Sequence, residues 1–167
     1  MEAMLRRNFL IFVWLAMCCP RTMAAASENF TATLQLSSAT EKLAMTNASL
    51  PALHRPDVRS VFHAKATENL ALDWTLTASA GKLFDDVLVH FYVARVDGPD
   101  QQPDLKKPEN VVLEGALTMD FKGGSSARTG LKFQVDKPGN YVVRVEAQHP
   151  DLSALDEPFA AINLVVK

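Results

Sequence analysis

Apolar and polar side chains alternate with a period of two along most of the chain beyond residue 29. Phe30, Ala32, Leu34 and Leu36 share one face and Thr31, Thr33 and Gln35 the other, the pattern of a half-buried strand. The same alternation runs through residues 70–78, where Leu70, Leu72, Trp74, Leu76 and Ala78 oppose Asp73, Thr75 and Thr77. Residues 87–96 are apolar on both faces, which predicts a central strand covered on both sides. Residues 111–121 carry Leu113, Leu117, Met119 and Phe121 in phase, and further strands are predicted at 131–135, 141–147 and 160–166. A weaker one lies at 59–66, with Phe62 and Ala64 on one side. Residues 37–57 are irregular: Pro51 and Pro56 break any helix, and residues 41–45 offer one helical turn at most.

Turn chemistry separates these segments. Gly81 permits a reversal, Asp97-Gly98-Pro99-Asp100 ends the 87–96 run, and Lys137-Pro138-Gly139-Asn140 combines a preset φ with a residue that accepts positive φ. Residues 97–110 read as a polar loop with Pro99, Pro103 and Pro108, residues 122–130 as a flexible connection around Gly123-Gly124-Ser125-Ser126, and residues 149–158 as a further loop. No helical period extends over ten residues. About seven to eight strands at this spacing predict an all-β, antiparallel two-sheet sandwich rather than βαβ units, a barrel being the other closure of the same pattern.

The stretch Phe133-Gln-Val-Asp-Lys-Pro-Gly-Asn-Tyr-Val-Val-Arg-Val-Glu-Ala147 resembles the E–F corner of immunoglobulin-like and fibronectin-III-like domains of exported proteins. The resemblance implies that Tyr141 serves as a tyrosine corner, its hydroxyl bonding nearby backbone. It departs from the antibody pattern in lacking an inter-sheet cysteine pair, and Trp74 lies one strand before the usual tryptophan. The resemblance therefore implies a fold and no specific family, and a shared fold implies no shared function.

The N-terminus is of another kind. Arg6 and Arg7 precede an apolar run over 9–19, too short to span a bilayer core of roughly 30 Å, and Ala24-Ala25-Ala26 follows. A basic start, a short apolar core and small residues at the exit predict a secretory signal peptide over 1–26 and a single mature domain over 27–167. Leu15-Ala16-Met17-Cys18 approximates a lipoprotein box, but Met17 stands where a small residue is required, which argues against a lipid anchor at Cys18. Cleavage removes Arg6, Arg7, Arg21 and Glu2 from the 17 basic and 19 acidic side chains, leaving 14 and 18 and a net charge of −4. It also removes both cysteines, and with them any disulfide, thiolate metal site or cysteine nucleophile. A cysteine-free exported domain points to a periplasm or cell surface, with secretion as the other destination. Asn29-Phe-Thr31 and Asn47-Ala-Ser49 form glycosylation sequons, relevant only in a eukaryotic secretory route.

Composition excludes more than it suggests. With 48% hydrophobic and 22% charged residues the chain suits one globular domain, and the absence of a basic excess argues against nucleic acid as a partner. No G-x-S-x-G or H-E-x-x-H motif occurs, and no cofactor is implied. Long loops on a rigid sandwich are where binding concentrates, so the leading expectation is a non-catalytic interaction module whose partner is a protein or glycan. Candidate binding residues are Tyr92, a possible platform, and the loop acids Asp97, Asp100, Asp104, Asp151 and Asp156, although Asp is also a plain turn residue. The alternative is a small metal-binding envelope protein. His63 and His90 would supply ligands for copper or zinc and the acidic loops for calcium, while Met45 and Met119 are too few for a methionine-rich copper site.

Overall fold

The computed structural model describes residues 29–46, 59–98, 101–152 and 158–167, so the predicted signal peptide, Asp100 and Asp156 lie outside the described residues. Among the described residues there are nine strands: β1 (Phe30–Ser37), β2 (Lys42–Thr46), β3 (Val61–Ala64), β4 (Leu70–Ala78), β5 (Phe84–Val96), β6 (Val111–Phe121), β7 (Ser126–Phe133), β8 (Gly139–Gln148) and β9 (Phe159–Val166). They form a four-stranded sheet in the order β2-β1-β4-β7 and a five-stranded sheet in the order β3-β9-β8-β5-β6.

The alternation explains how the sheets stack. Phe30, Ala32, Leu34 and Leu36 of β1 and Leu70, Leu72, Trp74 and Leu76 of β4 are fully or almost fully buried. They meet Val87, Val89 and Val93 of β5, Val143 and Val145 of β8, and Ile162 and Leu164 of β9 in one core. Rings lock the layers together: Phe30 packs against Phe84 at 4.7 Å and edge-on to Phe121 at 5.3 Å, and Trp74 lies 6.1 Å from Phe91. Gly115, opposite Phe91 in the β5–β6 ladder, makes room for that ring, since a Cβ there would sit 2.3 Å from Phe91 Cζ.

The structure departs from the sequence reading in five places, the last of them at the start of β5. Residues 41–45 hold no helical turn; Lys42–Thr46 is a strand zipped to β1, because Leu43 and Met45 alternate inward and the edge of β1 supplies hydrogen-bond partners. Residues 126–130 are not loop but the first half of β7, paired with β4 from Thr77↔Ser126 onward. Their Ser, Arg and Gly positions face outward, which leaves little hydrophobic signal to read. The predicted 131–135 strand accordingly ends at Phe133, and Val135 is buried beyond it, its carbonyl accepting the Thr67 N–H at 2.9 Å. The sandwich is also not wholly antiparallel, for the short β3 runs parallel to β9 along His63↔Val165 and Ala64↔Val166.

β5 begins three residues earlier than its apolar run, and a bulge is the reason. The ladder with β6 slips one residue between Phe84↔Phe121 and Val87↔Met119, so Phe84 and Val87 both reach the core despite their spacing of three. The extra residue is absorbed at Asp86, which sits at φ 58°, and its N–H donates to Asp120 Oδ1 at 3.0 Å. Asp tolerates this left-handed backbone better than most non-glycine residues.

Tyr141 opens β8 as the resemblance implies. It is buried, and its hydroxyl donates to the Lys137 carbonyl at 2.7 Å across the β7–β8 corner. That bond, the two sheets and the parallel β3–β9 pair define an immunoglobulin-like sandwich.

Candidate functional site

The strand directions sort the candidate residues between the two ends of the sandwich. β5 runs from Phe84 to Val96, and β8 returns with Asn140 beside Val96 and Gln148 beside Leu88. The 97–110 segment therefore leaves one end, together with the 134–138 corner, and His149–Leu152 leaves the other, together with the β5 bulge. Asp97 and Asp104 thus lie at the opposite end from Asp151, and the two acidic groups cannot share a calcium ion. Asp104 is engaged locally: its Oδ1 accepts the Lys106 N–H at 3.1 Å and its Oδ2 lies 3.7 Å from Lys107 Nζ. Asp97 is exposed at the strand end. Asp151 is exposed, with its N–H donating to His149 Nδ1 at 3.2 Å.

His63 and His90 are not brought together either. β3 and β5 are separated by β9 and β8, about 14 Å at the ordinary inter-strand spacing. The ladders also align His63 with Val165, Asn140 and Val96 rather than with His90. No group of three His, Cys, Asp or Glu side chains able to hold a metal ion occurs among the described residues.

Tyr92 is no platform. It is 4% exposed, enclosed with Ala94, Val96, Val142, Phe159 and Ala161 in a second apolar cluster on the outer face of the five-stranded sheet, with Leu105 packed over it. The prediction that β5 is covered on both faces thus holds over its second half, where the 97–110 segment folds back through Leu105. Burial pushes the Tyr92 phenol above its ordinary range; the Arg144 cation opposes the shift, Glu146 adds to it and Arg59 opposes it.

Beside that cluster lies a charged network that sequence reading missed. Glu146 takes Arg144 Nη2 on one oxygen at 2.5 Å, and His90 Nδ1 on the other at 3.3 Å. His90 Nε2 meets Glu114 Oε1 at 2.9 Å, so one imidazole bridges strands β8, β5 and β6. The Arg144 guanidinium also stacks 4.5 Å above the Phe159 ring. The signal was available in part: Arg144 and Glu146 lie in phase on β8, and strand pairing sets them beside Tyr92 and His90. Arg144 and Glu146 pair within β8, and His90 bonds a carboxylate on each neighbouring strand, an arrangement that fixes strand register.

The bulge end of the sandwich is different. Leu83 is 74% exposed, and Leu88 is also exposed. With Phe84, Asp85, Asp86, His149, Pro150 and Asp151, Leu83 borders a shallow depression of about 490 Å³. His149 closes its floor, 5.5 Å from the Phe84 ring and edge-on to it. The depression thus joins Leu83, Phe84 and Pro150 with the carboxylates of Asp85, Asp86 and Asp151, next to the bulge. Sequence reading passed over Leu83, the one large apolar residue between Gly81 and the strand.

No protein-family model and no curated protein matches this chain. Among solved structures it is similar to a CARDB domain from Pyrococcus furiosus, at 9% identity and TM-score 0.46, over 83% of this chain and 96% of that one. It is similar to the C-terminal domain of Wzt at 14% identity and TM-score 0.42, over 80% of this chain and 70% of that one. It also resembles part of a family 123 glycoside hydrolase from Clostridium perfringens at 8% identity and TM-score 0.43, where 81% of this chain spans only 27% of the hydrolase. The immunoglobulin-like class rests on strand order and the tyrosine corner; no activity passes from these likenesses.

Proposed function

We propose that the protein is an exported, non-catalytic interaction module that engages a protein partner through the bulge end of the sandwich. The observation that carries the reading is Leu83, 74% exposed and lining one depression together with Asp85, Asp86 and Asp151. Large apolar side chains held out on a rigid backbone and ringed by polar groups are characteristic of recognition surfaces. The carboxylates of Asp85, Asp86 and Asp151 suit a partner that brings Lys or Arg around an apolar pocket. A protein suits this surface better than a glycan, because Trp74, Tyr92 and Tyr141 are buried and no large exposed hydrophobic among the described residues is aromatic. The basic, short-apolar, small-residue pattern of residues 1–26 supports export.

Two measurements test the reading. A photo-crosslinking residue at position 83 is expected to give a discrete protein adduct in cells, absent when the residue is moved to position 106 at the other end and lost with Asp85→Lys/Asp86→Lys. Equal adducts from both positions would refute a localised interface. Cell fractionation with N-terminal sequencing is expected to find the protein outside the cytoplasm, starting at Ser27. An intact Met1 in the cytosol would remove the export half of the proposal.

A further inference from the structure

The two long flanks of the sandwich are closed to different degrees. On the β2/β3 flank the sheets are tied across the seam by the Ser60 hydroxyl donating to Met45 Sδ at 3.0 Å. On the other flank, among the described residues, β6 pairs only with β5 and β7 only with β4, leaving two unpaired edges of 11 and 8 residues. Most of the incompletely buried hydrophobics that pack against the core lie there, Leu113, Leu117 and Met119 of β6 and Leu131 and Phe133 of β7, against Leu43 and Met45 of β2 and Ala66 elsewhere.

The outward positions of the two edges carry opposite charge. β6 presents Glu114 and Asp120, and β7 presents Arg128, 72% exposed, and Lys132. Arg128 has only a 3.9 Å contact to Asp73. The strands also run in opposite directions, β6 toward the bulge end and β7 away from it. Across the core, Phe30 and Phe121 bring the bulge-side ends of the two edges to one height, and Trp74 and Phe91 do the same for Thr129 and Gly115. Arg128 therefore stands level with the stretch between Glu114 and Asp120.

From these edges we infer that the protein forms a symmetric dimer in which β6 of each copy pairs antiparallel with β7 of the other. A two-fold axis parallel to the strands exchanges the two sheets and keeps strand direction, so both edges are satisfied at once. Each four-stranded sheet then continues into the partner's five-stranded sheet. Arg128 and Lys132 of one copy face Glu114 and Asp120 of the other, and the half-buried leucines, Met119 and Phe133 close over one another. The other symmetric choice, an axis perpendicular to the sheets, pairs β6 with β6 and β7 with β7, setting acid against acid and base against base. Charge selects the first arrangement. The inference is independent of the interaction surface at the bulge end.

Sedimentation velocity of the purified protein over a concentration series tests it. The expected result is a mass twice that of the monomer at the upper concentrations, weakening as salt rises. A monomer throughout overturns the inference. Glu114→Lys/Asp120→Lys and Arg128→Glu/Lys132→Glu are each expected to be monomeric alone and, mixed one to one, to recover the dimer mass, because each then meets its opposite at both edges. A dimer that survives in either variant, or a folded mixture that stays monomeric, overturns it. Glu114 and Asp120 also bond within the subunit, so circular dichroism checks each fold. Thr118→Lys, which spares both acids and faces Arg128 of the partner, is the reserve variant. It is expected to raise the dimer dissociation constant about tenfold or more, and an unchanged constant overturns the pairing.

Discussion

The inner and outer faces of the five-stranded sheet are both buried around the middle of β5 and β8, but by different chemistry. Inside, Val87, Val89, Val143, Val145 and Ile162 meet apolar neighbours only. Outside, Tyr92, Arg144 and Phe159 are nearly as inaccessible, yet they sit beside Glu146 and His90. An inner residue that is removed leaves a void, whereas a removed outer partner leaves an uncompensated charge. The two faces therefore fail differently, and five variants separate them.

Trp74→Ala opens the largest space on the inner side, against Phe91, and is expected to cost about 3–5 kcal/mol in denaturant unfolding with an unchanged m-value. Glu146→Ala leaves Arg144 buried without its carboxylate and is expected to cost about 3 kcal/mol. The double variant Arg144→Met/Glu146→Leu should recover much of that loss, and no recovery would mean that packing rather than charge governs the outer face. Tyr141→Phe removes the corner bond to Lys137 while keeping the ring, at about 1 kcal/mol. Tyr92→Phe has the least effect at neutral pH and its full effect in alkali. The folded-state phenol is raised above its ordinary value of 10.0, so its contribution is complete below about pH 10 and is lost as pH rises through the folded value. A pH series of melts should show a steeper alkaline decline in the wild type than in Tyr92→Phe.

Much of this architecture was legible in the residues. Period-two alternation placed β1, β4 and β6 nearly to their ends, because each turns one apolar face to the core and a more polar face away, and the apolar runs bounded by turns and loops placed β8 and β9, which are buried on both faces over most of their length. The Lys137-Pro138-Gly139-Asn140-Tyr141 run identified the corner, since a turn formed by Pro and Gly followed by a buried phenol is a local arrangement. β2 and the first half of β7 escaped because their stability comes from ladders with β1 and β4, partners distant in sequence. The bulge at Asp86 escaped because alternation presumes an unbroken register.

The candidate sites were far less legible. His63 and His90 share a residue type, and Asp97, Asp104 and Asp151 share turn propensity, but their separation depends on strand order and on which end of the sandwich a loop leaves. Tyr92 changed meaning once Leu105 folded over it. The network of His90, Glu114, Arg144 and Glu146 draws on three strands, and the exposure of Leu83 follows from the bulge that turns Phe84 inward. By itself the sequence determined which side chains turn inward along each strand, because a period of two is a property of the extended backbone. The tertiary structure alone decided which strands are neighbours, which edges stay open and which charges meet, because pairing brings together residues that no local pattern links.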